Sequence, residues 1–373
     1  MKRKILLIFG TRPEAIKMAP LVKEFKKSKN FFEVKVCVTA QHREMLDQVL
    51  EFFEIKADYD LNLMKPGQNL YDLTSTIIKC LKPILEDYSP DYVFVHGDTS
   101  TTMAGSIASF YSGAKVCHVE AGLRTNNKLS PFPEEINRQI TSRICDYHFA
   151  PTNVSKENLL KENITEKSIL ITGNTVIDAL IKAVEKVKKS PSQLILNLSK
   201  KIGAKEVVLV TAHRRENHGK KFNEICKAIK KIAIDDSNRL IIFPVHMNPK
   251  VQEPVKRILS TVKNVLLIKP LAYEDFIWLM NRSKIIITDS GGIQEEAPSL
   301  GKPVLVLRDT TERPEAVDTG TVLLVGTNES LIVSQALNLL NNEDNFIKMS
   351  RLHNPYGDGL ASKRIVKFIK EIK

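Results

Sequence analysis

One stretch of the chain decides the class of fold: residues 4–17, KILLIFGTRPEAIK. Its apolar run, residues 5–9, predicts a strand that is buried on both faces. Gly10 permits a tight turn, and Pro13 suits the first turn of a helix. An amphipathic pattern then extends over residues 14–28. This order of strand, turn and helix predicts the first βα unit of a parallel sheet.

The same alternation continues along the chain. Further strands are predicted at 34–39, 91–95, 115–119, 147–150, 168–172, 206–211, 239–243, 264–268, 284–288 and 303–306. Helical patterns include 69–87, 100–112, 220–234, 274–281 and 328–341. The alternation weakens at residues 188–203, which are polar and contain a proline. We therefore expect two doubly wound α/β domains, 1–188 and 189–359, that face a cleft, with a last helix in 360–373 that crosses back onto the first domain.

The composition excludes several classes of protein. Of the 373 residues, 43% are hydrophobic and 26% are charged, which is typical of a globular protein and not of a disordered one. No apolar run approaches the ~20 residues that a membrane-spanning helix needs, and the run at 5–9 is shorter than a secretory signal requires. We therefore expect a cytoplasmic protein whose five cysteines stay reduced and mostly buried.

The net charge of +12 comes from lysines and arginines in residues 1–30, 182–205 and 361–373. Most of these lysines recur at helical spacing, without aromatic residues between them. This pattern is typical of solvated helix faces, and it predicts neither a nucleic-acid surface nor a membrane surface. The excess positive charge favours a small partner that carries phosphate.

Charged residues follow the predicted strands of the first half, at the edge where parallel sheets bind their ligands. Arg12 and Lys17 follow the first strand and place two cations near a helix N-terminus, which suits a pyrophosphate or a carboxylate. Asp98, Glu120 and Glu134 follow later strands. Asp98 suits a helix N-cap equally well, and Glu134 suits the first turn of a helix. Three carboxylates at one end of one sheet indicate acid–base chemistry.

The second half offers a different set of residues at its strand ends. His213 follows a strand and lies beside two arginines, which suits proton transfer or stabilisation of a leaving group. The turn Ser290-Gly291-Gly292 opens a helix whose backbone N–H groups can approach a phosphate. Glu296, one turn further on, suits ribose hydroxyl groups, and Arg313 is a candidate phosphate ligand.

Several common motifs are missing from the sequence. No G-x-G-x-x-G follows a strand, so a nicotinamide cofactor is not expected. His213 and His218 lack the further ligands of a metal cluster, and the D-x-D triplet at 58–60 is interpreted as a helix-to-strand turn. No serine lies in a G-x-S-x-G motif. We therefore expect neither a cofactor nor a metal ion.

Longer motifs carry a resemblance over essentially the whole chain. They are FGTRPEA (9–15), HGDT (96–99), HVEAGLRT (118–125), PEE (133–135), TGNTVID (172–178), HRRE (213–216), PVH (244–246), TDSGGIQEEAP (288–298), RDTTERPEA (308–316) and HNPYGDG (353–359). In these motifs and their order the chain resembles the bacterial non-hydrolysing UDP-N-acetylglucosamine 2-epimerases. The resemblance implies a glycosyltransferase-B-like fold of two Rossmann-like domains, a homodimer, and interconversion of UDP-N-acetylglucosamine (UDP-GlcNAc) and UDP-N-acetylmannosamine (UDP-ManNAc).

The matching motif positions also imply roles for individual residues. The acid–base carboxylates of the family fall on Asp98, Glu120 and Glu134, and His213 is also catalytic. Its substrate contacts fall on Arg12, Lys17, Phe276, Ser290, Gly291, Gly292, Glu296 and Arg313. Some members bind a second UDP-GlcNAc as an activator near a loop like Gln41-His42, and they carry an arginine where this chain has Gly67.

The chemistry of the sugar favours elimination followed by re-addition. No carbonyl flanks C2, so its proton becomes acidic only as UDP leaves C1, and the product is a 2-acetamidoglucal. Protonation of C2 on the opposite face and re-addition of UDP to C1 invert C2. We expect the product to serve bacterial surface polysaccharide synthesis. The sequence leaves open an epimerase for a modified UDP-sugar such as a 2,3-diacetamido uronic acid, a hydrolysing epimerase that releases UDP and ManNAc, a glycosyltransferase of the same fold, and a UDP-sugar-binding regulator.

Overall fold

Two parallel sheets organise the chain, and helices alternate with their strands. The computed structural model describes residues 2–40, 43–63 and 67–372. The chain divides into two compact units, Met1–Ala179 with Tyr356–Lys373, and Leu180–Pro355. Each unit contains one of the sheets, which confirms the predicted α/β class with two doubly wound domains.

The first unit is built on a seven-stranded sheet in the order β3-β2-β1-β4-β5-β6-β7. Its strands are β1 (Arg3–Phe9), β2 (Phe32–Val38), β3 (Tyr59–Asp60), β4 (Tyr92–His96), β5 (Lys115–Val119), β6 (Tyr147–Ala150) and β7 (Ile169–Ile171). Its helices are α1 (Arg12–Lys27), α2 (Arg43–Phe52), α3 (Leu70–Tyr88), α4 (Ser100–Tyr111), α5 (Glu134–Ile144) and α6 (Asn153–Lys161), and α7 (Thr175–Lys189) leads into the second unit.

The second unit is built on a six-stranded sheet in the order β10-β9-β8-β11-β12-β13. Its strands are β8 (Glu206–Thr211), β9 (Arg239–Pro244), β10 (Val265–Ile268), β11 (Ile285–Thr288), β12 (Val304–Val306) and β13 (Val322–Leu324). Its helices are α8 (Gln193–Ile202), α9 (Lys220–Asp235), α10 (Pro249–Leu259), α11 (Tyr273–Arg282), α12 (Gly291–Glu296), α13 (Pro314–Asp318), α14 (Glu329–Asn341) and α15 (Glu343–Ser350).

The central strands explain why the sheets form where the sequence predicts them. Residues 5–9 of β1 and 207–210 of β8 are fully buried, as expected for strands that are covered on both faces. Burial of each such apolar side chain stabilises the fold by about 1.5–3 kcal/mol. The carboxyl ends of all strands in a parallel sheet share one edge, so the residues that follow them lie along that edge.

The last helix, α16 (Ala361–Glu371), belongs to the first unit and packs against α1. Phe368 lies edge-on to Tyr147 and Phe149, with ring centroids 5.4 and 5.8 Å away. The guanidinium group of Arg3 donates to the carbonyl oxygen of Ile372 over 2.6 Å. These contacts confirm that the C-terminal helix returns to the first domain.

Two short edge strands were not expected from the sequence. Tyr59 and Asp60, interpreted as part of a turn, form β3, and Tyr59 pairs with Cys37 of β2. Strand β13 has three residues. Strands of two or three residues are too short to show an alternating pattern, so the pairing partner and not the local sequence defines them.

The chain passes between the units within α7, where the division falls between Ala179 and Leu180. The sequence predicts this boundary after residue 188 and the second after 359, whereas the structure divides after Pro355. The polar and proline residues at 188–192 mark the end of a helix, which is a local signal, while a compact unit is defined by contacts. No helix in the described part of the chain is long and apolar enough to span a membrane.

Candidate active site

The turn after β1 is held by a buried carboxylate. Thr11 caps α1, and Glu14 accepts hydrogen bonds from the backbone N–H groups of Gly10 (3.1 Å) and Thr11 (2.8 Å). Glu14 also accepts from the hydroxyl group of Thr99 (2.7 Å), and burial raises the pKa of its carboxyl group. A Cβ atom on Gly10 would lie 1.9 Å from the hydroxyl oxygen of Thr39, so glycine is required there. This rigid turn leads into the helix that carries Arg12 and Lys17.

Glu120 follows β5 and is held by two donors. Its side chain is almost fully buried, and the ammonium group of Lys17 forms an ion pair with Oε2. The side-chain amide of Asn174 donates to the same oxygen over 2.7 Å. Glu120 also has a φ of +64°, in the left-handed region, a strained conformation for a residue with a side chain. Such strain is common at functional sites, where the surrounding contacts maintain it.

His96, the last residue of β4, lies beneath this carboxylate. Its Nε2 atom is 3.8 Å from Oε2 of Glu120, and the ring is buried. Neither ring nitrogen has a hydrogen-bond partner within the residues described here. Burial lowers the pKa of His96 to about 4, against the opposing effect of Glu120. The imidazole is therefore neutral at neutral pH.

Asp98 follows β4 and is fixed by α5. Two nitrogen atoms of Arg138 donate to Asp98 Oδ2, at 2.6 and 3.0 Å, and the side-chain amide of Asn137 donates to the Asp98 carbonyl oxygen at 2.9 Å. The N-cap of α4 is Thr99, whose hydroxyl oxygen accepts from the N–H of Thr102. The interpretation of Asp98 as a helix cap is therefore wrong, and its carboxylate pairs with Arg138 instead.

Glu134 is the first residue of α5, as the helix-start pattern predicts. Its Oε2 atom is buried and has no hydrogen-bond partner within the described ranges. Arg138, one turn further along α5, connects this helix to Asp98. Gly97, beside Asp98, approaches Glu120, whose Oε1 would lie 3.8 Å from a Cβ at that glycine. These contacts bring Asp98 and Glu120 to the same edge of the first sheet, and Glu134 lies on the helix whose Arg138 reaches Asp98.

His213 follows β8 and lies against a buried aspartate that follows the neighbouring strand β11. Its Nδ1 atom is 3.4 Å from Oδ1 of Asp289. The ring stacks on His246, with centroids 5.5 Å apart. Burial lowers the pKa of His213, while Asp289 opposes that effect and His246 adds to it. A partly exposed imidazole that is neutral near neutral pH suits proton exchange or hydrogen bonding to a ligand.

The turn after β11 lies against Arg313. A Cβ on Gly291 would lie 3.3 Å from Cζ and Nη1 of Arg313, so glycine permits this approach. Buried Glu295 accepts from Nε of Arg313 over 2.8 Å and orients the guanidinium group. Ser290 is the N-cap of α12, and no side-chain hydrogen bond caps the helix there. The turn and the arginine together suit an anionic ligand.

Three other predicted site residues lie on helices of the two units. Arg12 begins α1, Phe276 lies on α11 and Glu296 ends α12, and all three are half-buried. Gln41 and His42 lie outside the described residues. Among the residues that are described, no group of three or more His, Cys, Asp or Glu side chains is arranged to hold a metal ion.

Several residues with clear roles in these clusters were missed from the sequence, among them Glu14, His96, Arg138, Asn174, Asp289 and Glu295. His96 and Asp289 end or follow a strand, so the strand-end rule that selected Glu120 could have found them. Lys17 was expected to contact substrate, whereas the structure pairs it with Glu120. Asn174 follows the short strand β7, and no local pattern connects it with Glu120.

Comparisons with known proteins agree on one family. The family model described as UDP-N-acetylglucosamine 2-epimerase matches residues 23–370. The Escherichia coli K12 protein named UDP-N-acetylglucosamine 2-epimerase is 57% identical over 370 residues, 98% of each chain.

Solved structures give the same result. The Neisseria meningitidis UDP-GlcNAc 2-epimerase, bound to UDP-GlcNAc, is 52% identical with a TM-score of 0.87, over 99% of this chain and 100% of that one. The Methanocaldococcus jannaschii UDP-GlcNAc 2-epimerase, in complex with UDP-GlcNAc and UDP, is 33% identical with a TM-score of 0.78, over 98% of this chain and 99% of that one. The match confirms the predicted glycosyltransferase-B-like fold with two Rossmann-like domains.

Proposed function

The chain belongs to the UDP-N-acetylglucosamine 2-epimerase family, and we propose that it interconverts UDP-GlcNAc and UDP-ManNAc without hydrolysing either. The observation that carries the proposal is the carboxylate of Glu120, held beside Lys17 and Asn174 at the edge that also presents Asp98. The UDP-GlcNAc bound by the Neisseria meningitidis relative supports the choice of substrate.

The proposed reaction is an anti elimination followed by re-addition. A carboxylate removes the C2 proton, the C–H electron pair forms the C1–C2 double bond, and the C1–O bond breaks with its electron pair on UDP. A carboxylic acid on the other face then returns a proton to C2 of the 2-acetamidoglucal. An oxygen of the β-phosphate adds back to C1, which leaves the substrate with C2 inverted. The route requires neither a nicotinamide nor a metal ion.

The first unit supplies the acid–base groups in this proposal. Inversion requires proton transfer on two faces of the sugar, and Asp98, Glu120 and Glu134 are the carboxylates for it. The ammonium group of Lys17 stabilises the charged form of Glu120, and we assign Glu120 as the base in one direction. Arg138 forms an ion pair with Asp98 and fixes the position of its carboxylate.

The second unit supplies groups for the leaving UDP. Negative charge grows on the diphosphate as the C1–O bond breaks, and preorganised donors stabilise it. Arg313, the N–H groups of the Ser290-Gly291-Gly292 turn and His213 are assigned to this task. Glu296 is assigned to the ribose hydroxyl groups and Phe276 to a further substrate contact. Arg12 of the first unit adds a cation.

The family resemblance supports the remaining assignments. We propose that the enzyme acts as a homodimer in the cytoplasm and supplies UDP-ManNAc for bacterial surface polysaccharides. The intermediate is not covalently attached, so a closed state must retain it together with UDP.

Proton NMR of the purified protein with UDP-GlcNAc in D2O, without added metal or nicotinamide, tests the proposal. We expect UDP-ManNAc signals to grow, with exchange of the C2 proton for deuterium in both sugars. Free ManNAc with UDP would instead identify a hydrolysing enzyme. Binding without any conversion would contradict the choice of UDP-GlcNAc as the substrate.

A further inference from the structure

A buried carboxylate organises the turn that presents His213. Asp289 follows β11 directly and is fully buried. Its Oδ2 atom accepts from the backbone N–H groups of His213 (2.9 Å) and Arg214 (2.8 Å) and from the side-chain amide of Asn217 (3.2 Å). Three donors on one oxygen fix the orientation of the carboxylate. The other oxygen, Oδ1, accepts from none of these three donors.

That second oxygen is directed at the imidazole of His213. Oδ1 of Asp289 is buried, has no hydrogen-bond partner among the described residues, and is 3.4 Å from Nδ1 of His213. A buried carboxylate oxygen without a donor is costly, and an Nδ1–H group would satisfy it. At 3.4 Å, the Nδ1 atom needs to move only a few tenths of an ångström to reach an ordinary hydrogen-bond distance.

We propose that Asp289 is a positioning residue that selects the tautomer of His213, with the proton on Nδ1 and the Nε2 lone pair left for the ligand. An imidazole can carry its proton on either nitrogen, and a carboxylate at Nδ1 selects one of them. The stacked ring of His246 restricts rotation of the imidazole plane. The use of Nε2 in the reaction rests on the proposed function, whereas the tautomer does not.

The environment of the imidazole makes this selection necessary. Burial lowers the pKa of His213, so the ring is neutral near neutral pH and must choose a tautomer. Asp289 raises that pKa, while His246 and Arg214 lower it. Asp289 lies beside the ring at the end of the neighbouring strand and is fully buried, so we place its effect on the reaction in its contact with His213.

Nitrogen NMR of the full-length protein labelled with 15N-histidine tests the tautomer directly. The His213→Gln spectrum assigns the signals of His213 among the eight histidines. In the wild type we expect a protonated Nδ1 and an unprotonated Nε2. A His213 protonated on Nε2 in the wild type would overturn the proposal, and this result requires no Asp289 variant to fold.

The variant Asp289→Asn adds a functional readout. Its amide oxygen can keep the three donors of Oδ2, while its NH2 group faces Nδ1 and should move the proton to Nε2. We expect kcat for epimerisation to fall about 10²-fold or more, with a smaller change in KM, because the wrong tautomer removes a positioned acid or base. In a His213→Gln background, Asp289→Asn should lower kcat no further, because its effect acts through the imidazole.

A matched control is Asp344→Asn, an exposed residue of the same unit, which should keep the tautomer and kcat of the wild type. An unchanged tautomer in Asp289→Asn, or a changed tautomer with wild-type kcat, would overturn the positioning role. Failure of the proposed function is distinguishable, because then the wild type itself converts no UDP-GlcNAc.

Discussion

The two units have the same strand order around their central strands. The acid that holds the turn after the central strand, however, comes from a different element in each unit. Strand β8 occupies the place in the second sheet that β1 occupies in the first, and β11 corresponds to β4. In the first unit, Glu14 of α1 accepts the two backbone N–H groups that follow β1. In the second unit, Asp289, the residue after β11, accepts from the N–H groups of His213 and Arg214, the second and third residues after β8.

This difference explains why the units present different chemistry. Because Glu14 holds the turn in the first unit, the acid after β4, Asp98, keeps a 26% exposed side chain beside Arg138. In the second unit the corresponding acid, Asp289, itself holds the turn, and its side chain is fully buried. The first unit therefore presents carboxylates at its sheet edge, and the second presents an imidazole and arginines.

The largest expected effect is on catalysis by the carboxylates of the first unit. Glu120→Gln removes a charged carboxylate, and we expect kcat to fall at least 10²–10⁴-fold, as is typical for a positioned acid or base. UDP should still bind, because the variant leaves the second unit intact. Steady-state kinetics and calorimetry with UDP measure the two effects. Glu166→Gln, an exposed control, should behave as wild type, and near-wild-type turnover in Glu120→Gln would exclude Glu120 as a catalytic residue.

Measurements of the free energy of unfolding should distinguish the two acids that hold a turn, Glu14 and Asp289, from Asp98, which does not. Asp289→Ala leaves three donors without an acceptor, and we expect it to lower the free energy of unfolding of the second unit by about 3 kcal/mol. Glu14→Ala is the matched variant of the first unit and should cost a similar amount. Asp98→Ala loses a partly exposed ion pair, which should cost less than about 1 kcal/mol. Hydrogen exchange of each unit measures these values, and equal losses for Asp98 and Asp289 would contradict the comparison.

Acid should destabilise the first unit through its buried histidines. Burial lowers the pKa of His96 to about 4 and that of His118 to about 3, below the value of 6.5 expected in the unfolded chain. The unfolded state therefore binds protons that the folded state does not, and stability falls as pH drops from 6.5 towards 4. Between pH 7 and pH 5 the contribution of His96 is about 2 kcal/mol.

A His96→Gln variant removes this titration. Between pH 7 and pH 5 the free energy of unfolding of this variant should decline by about 2 kcal/mol less than that of the wild type. Urea unfolding followed by hydrogen exchange in the first unit measures the decline. Parallel pH curves for the two proteins would show that His96 is not buried in its neutral form.

The smallest effect is expected at the turn of the second unit. In Gly291→Ala the new Cβ would lie 3.3 Å from the guanidinium carbon of Arg313, which must shift by a few tenths of an ångström. We expect the Kd for UDP to rise tenfold or less, equivalent to about 1.4 kcal/mol at most. Gly292→Ala meets no atom within 4 Å and should raise the Kd less. Calorimetry with UDP compares the two, and a larger effect at Gly292 would contradict this arrangement of the turn.

Local sequence predicts the fold well where strands are long and apolar. The run at 5–9 and the run at 206–211 give the central strands, because burial on both faces leaves a continuous apolar pattern. The edge strands β3 and β13 could not be found this way, since two or three residues carry no period. Their positions depend on the neighbouring strand, which only the structure shows.

For the candidate site, too, the sequence predicts some residues and not others. Asp98, Glu120 and His213 were selected because they follow strands, and parallel topology does bring the first two to one edge. Their partners could not be predicted, because Lys17 and Asn174 are 103 and 54 residues from Glu120 in sequence. Pairing at that distance depends on the packing of α1 and β7 and leaves no local signature.

Cleavage of the C1–O bond is the central claim, and positional isotope exchange tests it most directly. UDP-GlcNAc with 18O in the bridge between C1 and the β-phosphate is incubated with the enzyme, and recovered substrate is examined by 31P NMR. If UDP leaves and returns, the label should appear in non-bridging positions of the β-phosphate at a rate that accompanies C2 deuteration. Retention of the label in the bridge while C2 exchanges its proton would contradict elimination and require direct removal of the C2 proton.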